Sequence, residues 1–321
     1  MRKFFIAILV LTISLQGFSQ QPDNLLKKLD SLNKKTDSVG KQQNNTTPSA
    51  YNERTKITFR SYFTLLGSDI KQEFTKPFHM HRQDWHHLGA FVLAGGALGF
   101  ADEPIQKGAV KLRNSSTAVS NVSKYVTKFG GLYETYTLGS LMAYGFIFKK
   151  EKLRTTTLLA TQAYITGGLI ESVAKYLTGR TRPSFYDPAV EAEPKFMGPL
   201  GNTSKDFTGS RSNSSFPSGH TTVAFAAATV FAMEYKSTPW VPIFSYSVAS
   251  LIAISRITEN KHWATDVFAG AALGFLSGRQ VVNNYHRYAK IKAPRIAGYP
   301  VHFNLDYSFH QLRPGLVVRF P

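Results

Sequence analysis

Residues 217–233 read PSGHTTVAFAAATVFAM, a turn-forming opening followed by a run that carries no charge. Ser218 is a residue type that caps helices, Gly219 lets a backbone come close, and Thr221–Met233 is long enough for an α-helix. Its small Ala and Thr side chains let another helix approach closely, in water or in lipid. Five further runs have the same texture: Leu88–Phe100, Tyr136–Phe148, Thr155–Ile170, Pro239–Ser255 and Val267–Gly278. Small residues recur in them, as in Ala94-Gly95-Gly96-Ala97 and Gly270-Ala271-Ala272. The pattern predicts an all-α protein, a compact bundle of about six core helices over 86–290, with a further helix near 105–128.

Outward from the bundle the texture changes. Arg2 and Lys3 precede the apolar run Phe4–Leu15, and the small residues Gly17 and Ser19 stand before Gln20. This reads as an export signal over 1–19, with a retained membrane anchor as the alternative. Residues 20–50 are polar and read as a flexible tether in which Leu25, Leu26, Leu29 and Leu32 mark one short amphipathic helix. Residues 51–85 form an N-terminal amphipathic segment. The stretch 184–216, rich in Ser, Gly, Asn and Pro, is expected to rim the site that follows it. At 298–321 the alternation of Val301, Phe303, Leu305, Tyr307 and Phe309 predicts a short C-terminal β-hairpin, with its turn at Arg313-Pro314-Gly315.

Among the 321 residues, 38 Lys and Arg stand against 20 Asp and Glu, a formal net charge of +18. Such a surplus favours polyanions or an anionic membrane surface. No nucleic-acid-binding pattern accompanies it, so no nucleic acid is expected as a partner. The chain has no cysteine, which excludes disulfides, thiolate metal sites and cysteine nucleophiles. A membrane span needs roughly 20 apolar residues, and these runs are shorter. Basic clusters flank them, however: Lys149, Lys150, Lys152 and Arg154, then Arg279, Arg287, Lys290 and Lys292. Read as cytoplasmic ends, these put Lys175, His220 and His262 on the outer side. Crossing parity then demands a span within 103–131, which its basic residues make a poor candidate. An inner-membrane embedded or associated protein of the bacterial envelope, its site facing the periplasm, is favoured over a soluble periplasmic one.

Three clusters carry chemistry. In the first, Lys175 and Arg182 are two helical turns apart and able to share a face, with Arg180 nearby. Fixed cations there suit a phosphate dianion, and they also suit the negative end of any helix. In the second, Ser218 caps a helix whose free N–H groups attract an anion, with His220 beside it to give or take a proton. An ordinary capped helix reads the same way. In the third, Arg256 precedes His262 and Asp266, which at i and i+4 meet on one helical face. The carboxylate fixes the imidazole tautomer and frees the other nitrogen for attack. A surface His–Asp pair is the plainer alternative.

Taken together, Lys175-x6-Arg182-Pro183, then Pro217-Ser218-Gly219-His220, then Ser255-Arg256-x5-His262-x3-Asp266 resemble the full signature of the type 2 phosphatidic acid phosphatase superfamily. That superfamily also includes bacterial class A acid phosphatases and vanadium haloperoxidases. The resemblance implies that Lys175, Arg182 and Arg256 hold the phosphoryl oxygens, helped by Ser218 and Gly219. It implies that His262 attacks phosphorus and becomes a phosphohistidine, that Asp266 orients it, and that His220 protonates the leaving oxygen and later activates water. No metal or other cofactor is implied, and vanadate is expected to inhibit. The expected substrate is a phosphorylated lipid: lipid A, a polyprenyl diphosphate, phosphatidic acid or phosphatidylglycerol phosphate. A soluble broad-specificity acid phosphatase acting on small phosphate esters is the alternative, and a vanadate-dependent haloperoxidase a more distant one. Outside the motifs, His79, His81, His86 and His87 read as an interfacial or loop cluster, with a metal site as the alternative, Asp102 and Glu103 as caps of the bundle, and Glu171 as a partner of Lys175.

Overall fold

The computed structural model describes residues 22–39, 42–186, 192–199 and 213–292, together with the backbone of three strands at 295–296, 299–308 and 311–318. The export signal expected over 1–19 and much of the rim expected over 184–216 lie outside the described residues. Ten helices follow in order among those described: α1 (Pro22–Val39), α2 (Phe59–Thr75), α3 (Arg82–Gly99), α4 (Asp102–Ser115), α5 (Thr117–Val126), α6 (Leu132–Ile147), α7 (Glu151–Thr178), α8 (Gly219–Glu234), α9 (Trp240–Thr258) and α10 (Ala264–Lys292).

Helix α8 is the axis of the bundle and packs against α7, α9 and α10. The α8–α10 contact is the closest, because one face of α10 is a stripe of Gly270, Gly274 and Gly278. A Cβ added at Gly270 falls 2.6 Å from the Ser218 carbonyl oxygen, and one at Gly278 falls 2.6 Å from that of Ala226. At Gly274 the Thr222 carbonyl leaves no room at all. Only glycine permits this backbone contact. Around it the core closes with Leu159, Ala160 and Ala163 of α7, Ala226 and Val230 of α8, and Val281, Val282 and Tyr285 of α10. Each buried Leu or Val contributes roughly 1.5–3 kcal/mol relative to exposure.

The N-terminal third departs from the sequence reading. Leu29 of α1 is fully buried in the same core, beside Leu65 of α2. Residues 42–47 are fastened rather than hanging free. Gln42 donates to the Asn283 carbonyl at 2.7 Å, Asn44 to the Asn283 side chain at 2.9 Å, and Lys152 to the Thr46 carbonyl at 2.7 Å. The polar residues that read as tether find polar partners on α7 and α10. Tyr51 then hydrogen-bonds Glu234, which His286 also contacts at 2.8 Å, closing the end of the bundle away from the motifs.

The single helix expected near 105–128 is two. Ser116, extended at φ −134°, stops α4 and caps α5 by accepting the Val119 N–H at 3.3 Å. At the C-terminus β1 (Arg295–Ile296), β2 (Tyr299–Ser308) and β3 (Gln311–Val318) pair antiparallel in that order. Arg313, Pro314 and Gly315 lie inside β3, opposite Asp306, Leu305 and Asn304, so the turn expected at 313–315 is not there. Pro314 is tolerated because β3 is an edge strand.

Much apolar surface stays uncovered. Helix α3 has no buried residue although it is apolar on average. On α9, Trp240, Ile243 and Phe244 are each about two-thirds exposed. Among the described residues α9 is long and apolar enough to cross a membrane, and α3 with α4 passes the same test as a pair bent by 59°.

Candidate active site

The three motifs meet at one end of the bundle. Two connections between helix starts bring them there. The Ser218 N–H donates to the Asp266 carbonyl at 3.0 Å, which ties the start of α8 to the start of α10. Asp102, at the first residue of α4, accepts from the Thr265 N–H at 2.9 Å and from its hydroxyl at 2.6 Å. It thereby satisfies a donor of the first turn of α10 that the helix itself leaves open.

His262 does not lie on a helical face with Asp266, as its spacing suggested. Helix α10 starts at Ala264, and His262 sits in the connection from α9, 1% exposed. Its Nδ1 is 2.7 Å from the carbonyl oxygen of Ser215, whereas Asp266 Oδ2 is 3.6 Å away. A carbonyl only accepts, so Nδ1 carries the proton and Nε2 keeps its lone pair. Asp266 acts one step removed. Its Oδ2 accepts from the Ser215 hydroxyl at 2.5 Å and the Trp263 N–H at 2.9 Å, while Oδ1 accepts from Arg180 at 2.6 Å. The carboxylate holds the Ser215 turn whose carbonyl holds the imidazole.

Arg180 is a structural cation here. It bridges Asp266 and, at 2.6 Å, Asp102, and is 4% exposed. Lys175, Arg182 and Arg256 are the cations that face the histidines. Lys175 and Arg182 do not share a helical face: α7 ends at Thr178, Gly179 turns the chain at φ +54°, and Arg182 follows in extended backbone. The reversal still returns Arg182 to the same centre. Lys175 is paired with Glu171, as its position one turn earlier suggested. Arg256 is steadied by the Thr127 hydroxyl at 2.5 Å, and Arg182 by the Ser214 carbonyl at 3.3 Å.

Ser218 occupies the N-cap position of α8, but its hydroxyl makes no capping bond. It accepts from the Thr221 hydroxyl at 3.0 Å instead. The first-turn N–H groups of α8 are thus not taken by that side chain, which suits an approaching anion. Gly219 is packed by the ends of the Glu171 and Lys175 side chains, the Lys175 Nζ lying 3.3 Å from where a Cβ would be, so a larger residue here would displace that pair. His220, one residue on, makes no hydrogen bond among the described residues and abuts Gly130 and Gly131, the turn that opens α6.

Burial and the three cations together disfavour a proton on both imidazoles. Burial first, then Arg182, Arg256 and Lys175, hold His262 well below its ordinary 6.5. Burial, then Arg256, Lys175 and Arg182, push His220 down to about 3. Both are neutral at pH 7 with the site empty of anions. A phosphate dianion seated among the cations offsets the repulsion and raises both.

Sequence reasoning named Lys175, Arg182, Ser218, Gly219, His220, Arg256, His262 and Asp266 as site residues, and the fold brings all eight to one centre. It missed Ser215, whose part is played by a backbone carbonyl. It also gave Asp102 only a general capping role. His79, His81, His86 and His87 are exposed and stand apart from this centre.

Residues 156–290 match the family model described as the PAP2 superfamily. The chain is 35% identical over 166 residues to the lipid A 1-phosphatase of Porphyromonas gingivalis, covering 50% of this chain and 29% of that protein. It is 33% identical over 162 residues to lipid phosphate phosphatase 1 of Arabidopsis thaliana, covering 43% and 49%. The chain thus spans less than half the length of these two relatives. A solved transmembrane PAP2-type phosphatidylglycerolphosphate phosphatase from Bacillus subtilis is similar at a TM-score of 0.44 and 25% identity, over 60% of this chain and 92% of that one.

Proposed function

The chain belongs, over residues 156–290, to the PAP2 superfamily, and from that premise we propose that it is a phosphatase that removes phosphate from a membrane lipid through a covalent phosphohistidine. One observation carries the reading. A neutral imidazole with its Nδ1–H committed to a carbonyl faces three cations, with a second imidazole in the same centre. Phosphoryl transfer needs little beyond such positioning and charge neutralisation.

In this reading Lys175, Arg182, Arg256 and the α8 N-terminus hold the phosphoryl oxygens. His262 Nε2 forms a bond to phosphorus as the bond to the leaving oxygen breaks. His220, protonated once the dianion is in place, passes its proton to that oxygen. It then takes a proton from water, which attacks phosphorus, breaks the N–P bond and frees phosphate. Asp266 stabilises the charge that develops on His262 through the Ser215 turn. Every step uses this chain's own groups, and no metal or other cofactor is invoked.

The lipid part of the reading rests on the surface and on a cleft. Large apolar side chains cover the outer faces of α3, α6 and α9, an area that water does not favour and acyl chains do. A cleft of about 510 Å³ opens between α6, α8 and α9, lined almost wholly by apolar residues such as Leu138, Ala224, Ala228 and Ile252. Its α8 wall begins at Ala224, one turn below His220, on the side of the group that departs. The Arg2–Gln20 stretch supports export and a site facing the periplasm.

The test is phosphate release across lipid A, polyprenyl diphosphate, phosphatidic acid, phosphatidylglycerol phosphate and a nitrophenyl ester. Turnover of at least one lipid well above the nitrophenyl ester supports the reading. Preference for the soluble ester favours a broad-specificity acid phosphatase instead, and no release from any substrate refutes both.

A further inference from the structure

The cleft between α6, α8 and α9 holds one group that the mechanism above does not use. Glu134, in the first turn of α6, is 8% exposed, and neither of its carboxylate oxygens has a hydrogen-bond partner. It lines the cleft among Leu138, Leu153, Ala224 and Ile252. Burial alone, with no cation contributing, pushes its carboxyl up to about 8. A charged carboxylate left unpaired in such a lining costs far more than a neutral one, so burial favours the carboxylic acid, with one O–H to donate. An unsatisfied donor in an apolar cleft is itself unfavourable and is matched only by an acceptor brought in with a ligand.

Position says which acceptor. Gly131 abuts His220, with Nε2 3.4 Å from where a Cβ would stand, and Glu134 follows one helical turn along α6. Ala224 follows His220 by one turn along α8. Both walls of the cleft therefore leave from the group that protonates the departing oxygen, and one turn is about 5.4 Å. In a phosphorylated diacylglycerol the nearer ester carbonyl is about four bonds beyond that oxygen, a reach of roughly 5 Å. A polyprenyl chain offers no acceptor anywhere along it.

We propose that Glu134 is a specificity residue of this site, donating a hydrogen bond from its protonated carboxyl to the acyl carbonyl that joins the leaving group to its chain. The proposal rests on the lipid phosphatase reading and sharpens it. It selects acylated phospholipids over polyprenyl phosphates, because a site built to hydrogen-bond a group discriminates against the analogue that lacks it.

The experiment compares kcat/KM for dioleoyl phosphatidic acid with that for its di-O-alkyl ether analogue, which has the same shape and no carbonyl. The ester-to-ether ratio in the unmodified chain is expected to be about ten or more. Glu134→Leu is expected to bring it close to one, and Glu134→Gln, which still donates, to keep most of it. An N-acyl sphingoid phosphate run alongside tells an ester carbonyl from an amide, and preference for either over the ether supports the assignment. A ratio near one in the unmodified chain, or an undiminished ratio in a folded Glu134→Leu, overturns it. The first of these needs no variant, so a Leu substitution that fails to fold leaves the assignment exposed to test. Failure of the underlying reading is distinguishable, because it shows as no phosphate from any substrate, the nitrophenyl ester included.

Discussion

His262 is held as a neutral base by a carbonyl, and its surroundings discourage a proton on the second nitrogen. Replacing it with Ala is expected to lower phosphate release by about a thousand-fold or more, since truncation removes the attacking atom, while the fold is kept at a cost of about 1–3 kcal/mol in denaturant unfolding for the buried Ser215 carbonyl left without its partner. His220→Ala is expected to lower kcat/KM, which reports the step that forms the phosphohistidine, by about a hundred-fold or more for alkyl phosphates and much less for nitrophenyl phosphate, because a good leaving group needs no proton. An equal loss on both substrates contradicts its role as the acid. The charge states give a further check. As pH falls from 8 to 6, neither imidazole in the free protein is expected to take up a proton, because both are depressed by burial and the three cations. Vanadate, an anion in the phosphoryl position, is expected to move the His220 titration upward, and a histidine NMR titration reads both. A His220 titrating near 6.5 without an anion contradicts the convergence of cations.

Helix starts do the positioning. Asp102 reaches α10 from α4, and Arg180 joins Asp102 to Asp266 across 78 and 86 residues of chain. Arg180→Met leaves two buried carboxylates without their cation and is expected to cost about 3–5 kcal/mol, measured by denaturant unfolding. The same substitution at a residue that only bound substrate costs activity and little stability. Gly274→Val forces α8 and α10 apart and is expected to lower both stability and turnover, by about 1–3 kcal/mol in stability. These elements also show what could be read in advance. The helical runs were legible because small apolar residues recur without charge, and the three motifs because each residue type is needed at a set spacing from the next. The bond from His262 to Ser215 was not, because the acceptor is main chain and every residue has one. Glu134 was not, and Asp102 was legible only as a cap, because their meaning comes from what distant segments fail or manage to bring to them. The i, i+4 reading of His262 and Asp266 placed the two side chains near each other but on a helical face that is not there, since the helix begins two residues after His262. Residues 42–50 misled through composition: Asn, Gln, Ser and Thr read as solvated until the bundle proves to offer amides and carbonyls of its own.

At the scale of the molecule, a basic chain with a cationic centre exposes broad apolar helix faces, which suits an anionic lipid surface. Flotation with vesicles containing an anionic phospholipid is expected to carry the protein to the top of a gradient, and full recovery in the soluble fraction contradicts that surface. The central claim joins this surface to one nitrogen atom. The direct test is to mix the protein with 32P-labelled phosphatidic acid in such vesicles, quench within a turnover, and map the label. The account predicts an acid-labile, base-stable phosphate on His262 that is absent from His262→Ala, and that accumulates in His220→Ala when 32P-labelled nitrophenyl phosphate, whose leaving group needs no proton, replaces the lipid. Label on another residue, or near-normal phosphate release from His262→Ala, contradicts it.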